Sequence, residues 1–493
     1  MLIAPRRAGL SVLAAFVLVT SLFSTRPPAT NASSSVDMNV TLSVYTCCGS
    51  LQGFNDSSPG NVFSIYNIFH SRLAKAFPNL HWKETAINDE ATLETKLTLA
   101  VNSGNPPDMV FIQGGYMGFS VLRKLAQPLD KYFAQYNISD SYFLPGMAKW
   151  AHFGGHWWGM PAVSGPLLGQ LVYLPQYMTP LGYSNSNLKT FTDLYNMSKK
   201  AVKFDASGNL TRIGYWPFST GAPAGYTWET MARGMCAVGH GMYDAKNQPT
   251  ATDPCNVAFL SYLKQLVDLY GGYDKLTKFL AGDPDIWNGS AKDYMAAGKA
   301  LITPSANSYW SLTPFDSFPF GSKTGLQYQL TLQPPTVHGT LAEAANYPST
   351  QQLIVIPPGA AHADAAFAAS KFIAWDNGYL LGPSTNGSPV AADQTRWLDA
   401  LLAGEAAIRK KAGLPGNPMA SLPGVQMQPQ LARNSQAYLP INPVEVYYID
   451  QLDKATVRVL YGQQSPADAL AQVQKLVMAD QQRLQNQYGR WNW

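Results

Sequence analysis

At 493 residues and 46% hydrophobic composition, the chain is too long for one core of ordinary size and calls for two domains. Only 13% of its residues are charged, about half the roughly 25% of an average globular protein, so Ser, Thr, Asn, Gln and backbone groups must wet much of the surface. Three of the cations behind the net charge of +4, Arg6, Arg7 and Arg26, lie near the N-terminus with no acid among them, and no Lys/Arg run follows, which excludes a nucleic-acid-binding footprint.

Residues 1–35 read as an export signal, or an uncleaved anchor, followed by a linker. Arg6 and Arg7 precede an apolar stretch from Leu10 to Phe23, and small polar residues continue through Ser35. That stretch is short of the about 20 apolar residues a membrane span requires. The first cysteine, Cys47, lies too far on to carry a lipid at the processing point. From Val40 the pattern alternates strand and helix: strand Thr41–Thr46, helix Phe63–Phe77, strand Leu80–Thr85, helix Leu93–Val101 stopped by Ser103-Gly104, and the wholly apolar Met109–Ile112, suited to a buried parallel strand. This alternation predicts a doubly wound α/β lobe, in which ligands sit beyond the carboxyl ends of the strands. The middle of the chain holds helical patterns at Val257–Tyr270 and Tyr294–Lys299 among Gly/Pro/aromatic loops. Gln352–Ile356 is strand-like, Ala363–Trp375 helical, and from Pro443 the pattern is helical, with Ser465 as N-cap and Pro466 at the first position of the last helix.

In SGNPPDMVFI, the prolines at 106 and 107 force an extended turn and Asp108 opens the buried strand, so Gln113 and Tyr116 emerge at its carboxyl end as ligand candidates. Asp108 itself reads as a turn-capping carboxylate. Twelve Trp, 26 Tyr and 21 Phe supply the second signal, because several lie in Gly/Pro-rich loops: His156–Met160, Gly214–Phe218, Gly225–Glu229 and Ser308–Ser311. An aromatic face matches the CH face of a sugar ring, while Asn, Gln and Ser satisfy its hydroxyl rim. For any single Trp, core packing is the commoner role. His152 and His156 have two-His spacing, but the glycines between them speak against an aligned metal pair. Asp283 and Asp285 flank Pro284 and read as a solvated turn rather than the carboxylates of a glycosidase. There is no nucleophile elbow, P-loop or dinucleotide fingerprint, so neither enzymatic activity nor a cofactor is expected. Cys236 and Cys255 are the disulfide candidates, while adjacent Cys47 and Cys48 leave open a strained mutual bridge or two free buried thiols. Sequons at Asn55, Asn137, Asn209 and Asn288 matter only in a host that glycosylates exported proteins.

Five segments carry a resemblance in their order and separation: TLSVYT at Thr41–Thr46, ETKLTLAVNSGNPPDMVFIQ at Glu94–Gln113, HWWGMP at His156–Pro161, YMAAGKALITP at Tyr294–Pro304 and GQQSPADALAQVQ at Gly462–Gln474. Together they resemble extracellular solute-binding protein family 1, the sugar-type, maltose-binding-protein-like substrate-binding proteins of ABC importers. The resemblance implies an α/β, two-lobed periplasmic-binding-protein fold of type II with a hinge between the lobes. Carried over, the N-lobe would hold 40–150 and about 350–385, and the C-lobe about 151–349 and 386–493.

It also implies a function. A monomer, exported to the periplasm or the extracellular face of the cytoplasmic membrane, would capture a neutral carbohydrate and deliver it to the membrane permease subunits of an ABC importer. The family places stacking aromatics in the segments of Tyr226, Trp228, Trp310 and Tyr447, and Trp216, Tyr309 and Ser164 complete the expected ligand set. Trp157 and Trp158 occupy the position of a common aromatic before a Gly-Leu-Pro segment, where packing and ligand roles both stand. The chain departs from the family in having Leu174 after Tyr173, and in lacking acids near Ser164 or Gln113, which favours a neutral ligand. Two alternatives remain: an extracellular carbohydrate-active enzyme, a hydrolase or lyase, needing two carboxylates about 5–10 Å apart, or the same fold serving a non-sugar solute.

Overall fold

In the computed structural model of the chain, the described residues are 36–47, 72–87, 89–164, 170–218, 225–282, 294–304, 329–330, 335–344, 346–347, 352–380, 387–411, 413, 416, 418–421, 423–435 and 441–491. In chain order their strands are β1 (Thr41–Cys47), β2 (His81–Ile87), β3 (Met109–Gln113), β4 (His152–Phe153), β5 (His156–Trp157), β6 (Met160–Val163), β7 (Leu171–Tyr173), β8 (Lys203–Phe204), β9 (Leu210–Tyr215), β10 (Ala300–Pro304), β11 (Gln329–Leu330) and β12 (Gln352–Val355). One five-stranded sheet runs β2-β1-β3-β12-β6 and a second runs β11-β7-β10-β9-β8, while β4 and β5 make a small hairpin.

The first sheet follows from the pattern of its strands. β1 buries Leu42 and Val44 on alternate positions and pairs in parallel with β2 from Thr41 opposite His81 to Cys47 opposite Ile87. Helix Glu90–Asn102 provides the crossover to β3; the Asp89 carboxylate caps it by accepting from the Thr92 N–H at 2.8 Å. Met109 to Ile112 are all buried, because β1 flanks β3 on one side and β12 on the other. Asp108, 4% exposed, accepts from the N–H groups of Ser43 and His362, both at 2.8 Å, and so ties β1 to the start of helix Ala363–Lys371.

In the second sheet β10 runs parallel to β9 and antiparallel to β7. Helix Phe191–Ala201 begins with a capping box between Thr190 and Asp193 and presents Ser198, whose hydroxyl accepts from the Tyr215 N–H at 2.9 Å. The Tyr270 hydroxyl donates to the Tyr215 carbonyl at 2.6 Å. Burial pushes the Tyr173 phenol up to about 12, so it stays neutral and donates to the Asn185 side chain at 2.9 Å.

Each sheet has its own apolar core. The chain passes from the first to the second between Val163 and Leu171, returns between Tyr347 and Leu353, crosses again between Val390 and Trp397, returns between Val425 and Ile441, and crosses a last time between Ile441 and Val444. Strand β6 pairs with β12, so the first sheet reaches past residue 150 to Val163.

Two expectations meet the structure differently, and a third is only partly within the described residues. Tyr294–Lys299 forms turns rather than a helix: the N–H groups of Lys299 and Ala300 both reach the Tyr294 carbonyl, turning the chain directly into β10. Cys47 is disulfide-bonded, so the free-thiol reading fails for it; Cys48 lies outside the described residues. The predicted helix from Phe63 lies outside them as far as residue 71, and residues 72–76 are helical. The signal segment 1–35, Asn55 and Asn288 are also outside. Among the described residues no helix is long and apolar enough to cross a membrane.

Cys236 and Cys255 are joined by a disulfide with Cα atoms 5.3 Å apart across 19 residues of sequence. It anchors the loop after helix Gly225–Ala232 to the first turn of helix Pro254–Leu269, where Asp253 caps and Pro254 opens the helix. Closing a loop of this length restricts the unfolded chain by about 3 kcal/mol. Denaturant melts of Cys236→Ala/Cys255→Ala should therefore show a loss near that size, and an unchanged midpoint would show that the bridge contributes nothing.

Candidate functional site

The carboxyl ends of β1, β3 and β6 and the first residue of antiparallel β12 share one end of the first sheet. Gln113 ends β3, and Gln352 begins β12 directly opposite it, with Val163 opposite Gln352 on the other flank. Gln113 is half-buried and its side-chain amide makes no hydrogen bond among the described residues. Gln352 is 1% exposed, and its Oε1 is fully buried with no protein partner. Beyond Gln113 the chain enters the short turn Gly114–Tyr116, leaving Tyr116 half-buried. The ring of Trp150 occupies the place a side chain at 114 would need, 0.9 Å from the position of a Cβ, so only glycine fits there.

Helix Glu445–Leu460 brings an acid to this end. Glu445 is 1% exposed, and its Cγ lies 3.3 Å from where a Cβ on Gly115 would stand. The expectation that no acid lies near Gln113 is thereby corrected; more than 300 residues of sequence hid the contact. On the same helix Tyr447 is half-buried against the second core.

Other expected ligand residues are occupied elsewhere. Trp216 and Trp228 are both 0% exposed in the second core. Trp228 lies on helix Gly225–Ala232 with its ring edge-on to Phe259 at 5.5 Å, and Trp216 is edge-on to Phe218 at 5.3 Å. Their Gly/Pro surroundings looked like loops, but the first is a helix and the second follows a buried strand. Trp157 is sandwiched between Phe133 at 3.9 Å and His152 at 4.5 Å, and Trp158 donates its indole N–H to the Phe153 carbonyl at 3.2 Å. Ser164 is buried and spends its hydroxyl proton on the Ser388 carbonyl at 3.0 Å, while its backbone bridges Gly387. Tyr226 lies on the same helix as Trp228, with its side chain outside the described residues, as are Tyr309 and Trp310 entirely.

The motifs set aside behave as surface structure. His152 pairs with Asp140 at 2.7 Å and His156 with Asp130 at 3.0 Å, each ring held by its own carboxylate. Asp283 and Asp285 lie outside the described residues.

The site thus defines a two-lobed α/β binding protein in the broad sense: two sheets, repeated crossings and polar groups gathered at one sheet end. The family model described as bacterial extracellular solute-binding protein matches residues 67–375, and the chain belongs to that family. Solved structures agree in fold. An ABC substrate-binding protein from Listeria monocytogenes in complex with cycloalternan is 14% identical with a TM-score of 0.62, covering 89% of this chain and 98% of its own. A mannotriose-bound protein, CpMnBP1, is 18% identical with a TM-score of 0.61 over 89% of this chain and 100% of its own. The sugar-binding protein MalE from Xanthomonas citri is 13% identical with a TM-score of 0.60 over 91% and 100%. No curated protein matches the chain.

The burial of Trp228 reverses what its loop-like sequence implied about truncation. Trp228→Ala should lower unfolding free energy by about 3–5 kcal/mol, the range for emptying a large aromatic site in a core. Equilibrium denaturation measures it, and a variant with wild-type stability would return Trp228 to the list of ligand contacts.

Proposed function

We propose that this protein captures a neutral carbohydrate between its two lobes, outside the cytoplasmic membrane, and hands it to the permease of an ABC importer. The observation that carries this reading is the end of the first sheet, where two uncharged amides, half-buried aromatics and the single buried acid Glu445 gather beside the chain crossings. Gln113, Tyr116 and Tyr447 are the residues of the expected set available for contact there. The N-lobe is the first sheet with its helices and the C-lobe the second, with crossings near 164–170, 348–352, 391–396, 426–440 and 442–443. Ligands named for the structural neighbours, among them mannotriose, cycloalternan and ribitol, are neutral and hydroxyl-rich, in keeping with a site built on amides.

A ligand touching both lobes stabilises the closed arrangement by its differential affinity for that state. Release to the permease then requires only that the lobes reopen, and the solute leaves unchanged. Two measurements test the reading together. Thermal-shift screening against mono- and oligosaccharides should find a ligand that adds about 2.7 kcal/mol at 100 times its Kd. Small-angle scattering should show a smaller radius of gyration with that ligand bound, and the oligosaccharide should be recovered intact after long incubation. Hydrolysis without compaction would move the protein to the enzyme class, and failure of every carbohydrate alongside a shift with peptides would move it to another solute.

A further inference from the structure

We infer that Gln113 and Gln352 form a cross-strand pair of amides that recognises two neighbouring hydroxyl groups of the bound carbohydrate, with Gln352 the specificity-determining member. The inference rests on the carbohydrate reading above and extends it to a residue outside the expected ligand set and to the chemistry it reads.

Directly opposed residues of an antiparallel pair project on the same face, with Cβ atoms about 5 Å apart. Gln113 and Gln352 are such a pair, at the very end of the sheet. Neither side-chain amide hydrogen-bonds to any described residue, and the Gln352 Oε1 is completely buried. A buried, unpartnered amide oxygen is costly to a folded protein, and native structures rarely keep one without a use. Each amide offers one acceptor oxygen and two donor protons. Two of them side by side therefore match a vicinal diol, whose hydroxyls each donate once and accept at least once. On the other flank the strand partner of Gln352 is Val163, whose side chain offers no hydrogen bond. Neither amide carries charge, so the pair reads hydroxyl geometry without selecting an ionic ligand. The burial difference assigns the roles: half-buried Gln113 already meets solvent, whereas the buried Gln352 amide turns toward the ligand only when a matching hydroxyl takes up its oxygen.

The test uses the full mature chain and a panel of neutral mono- and oligosaccharides with their monodeoxy analogues, read by calorimetry, beside thermal melts of the ligand-free protein. Gln352→Met keeps the side-chain length and removes the amide. It should weaken binding of the preferred sugar at least tenfold and leave the ligand-free melting temperature unchanged or higher. One monodeoxy analogue should bind wild type at least tenfold more weakly, yet bind Gln352→Met as well as the parent sugar does. Wild-type affinity in a folded Gln352→Met, with a raised melting temperature, would overturn the inference and leave the carbohydrate reading standing. Should Gln352→Met not fold, the same deoxy comparison between wild type and Gln113→Met decides, since loss of discrimination is expected there and its persistence would refute the pair. If wild type binds no member of the panel, both the inference and the carbohydrate reading fall.

Discussion

The insertion of β12 between β3 and β6 is the contact on which the rest of the molecule depends. A segment that returns after the whole run of β7 to β11 supplies the strand between β3 and β6 in the first sheet, and without it β3 would expose an unpaired edge beside a wholly apolar face. The pairing therefore makes the first core conditional on the second being threaded through it. It also fixes the proposed site, because β12 keeps an unbroken register with β3, although its pairing with β6 shifts at Gln352/Leu353, and a slip of one residue against β3 would turn Gln352 away from Gln113. Fold and recognition surface are set by the same hydrogen-bond ladder.

Much of the first sheet was legible in the sequence. Thr41–Thr46 alternates, Met109–Ile112 is continuously apolar, and the Pro-Pro-Asp turn between helix and strand forces the direction of the chain, so position and exposure follow from local rules. Asp108 behaved as its turn position implied, holding Ser43 and His362 rather than a ligand. The second sheet was harder. β7 is only three residues long and wholly buried, and β9 exposes Thr211 before burying Ile213 to Tyr215, so neither shows the clean alternation of β1. Tyr294–Lys299 carried helical spacing, but backbone bonds back to Tyr294 turn it into a strand approach.

The aromatic residues show why composition alone places a site poorly. An indole that stacks on a sugar and one that fills a core are the same apolar disc, and Gly225, which marked Trp228 as loop-borne, is the first residue of the helix it sits on. What separates the two roles is burial from distant residues, here Phe259, which no window around Trp228 contains. The polar groups failed in the opposite direction. Gln352 and Glu445 lie in unremarkable segments, and only a long-range strand register and a helix docked from the far end of the chain bring them beside Gln113 and Gly115.

Gly118 lies where helix Met117–Leu122 rests on the crossing at Asn442-Pro443, and a methyl group there would stand 3.1 Å from that backbone. Main chain rides on main chain at this point, with no side chain between to act as a spacer or a ratchet tooth. If the lobes swing as the proposed function requires, this contact would offer the motion a smooth surface carrying few rotamers to rearrange. On the proposed reading two tasks would then fall to separate places: the glutamines at the sheet end would decide what is held, and an unadorned joint a few residues away would govern how freely the grip opens.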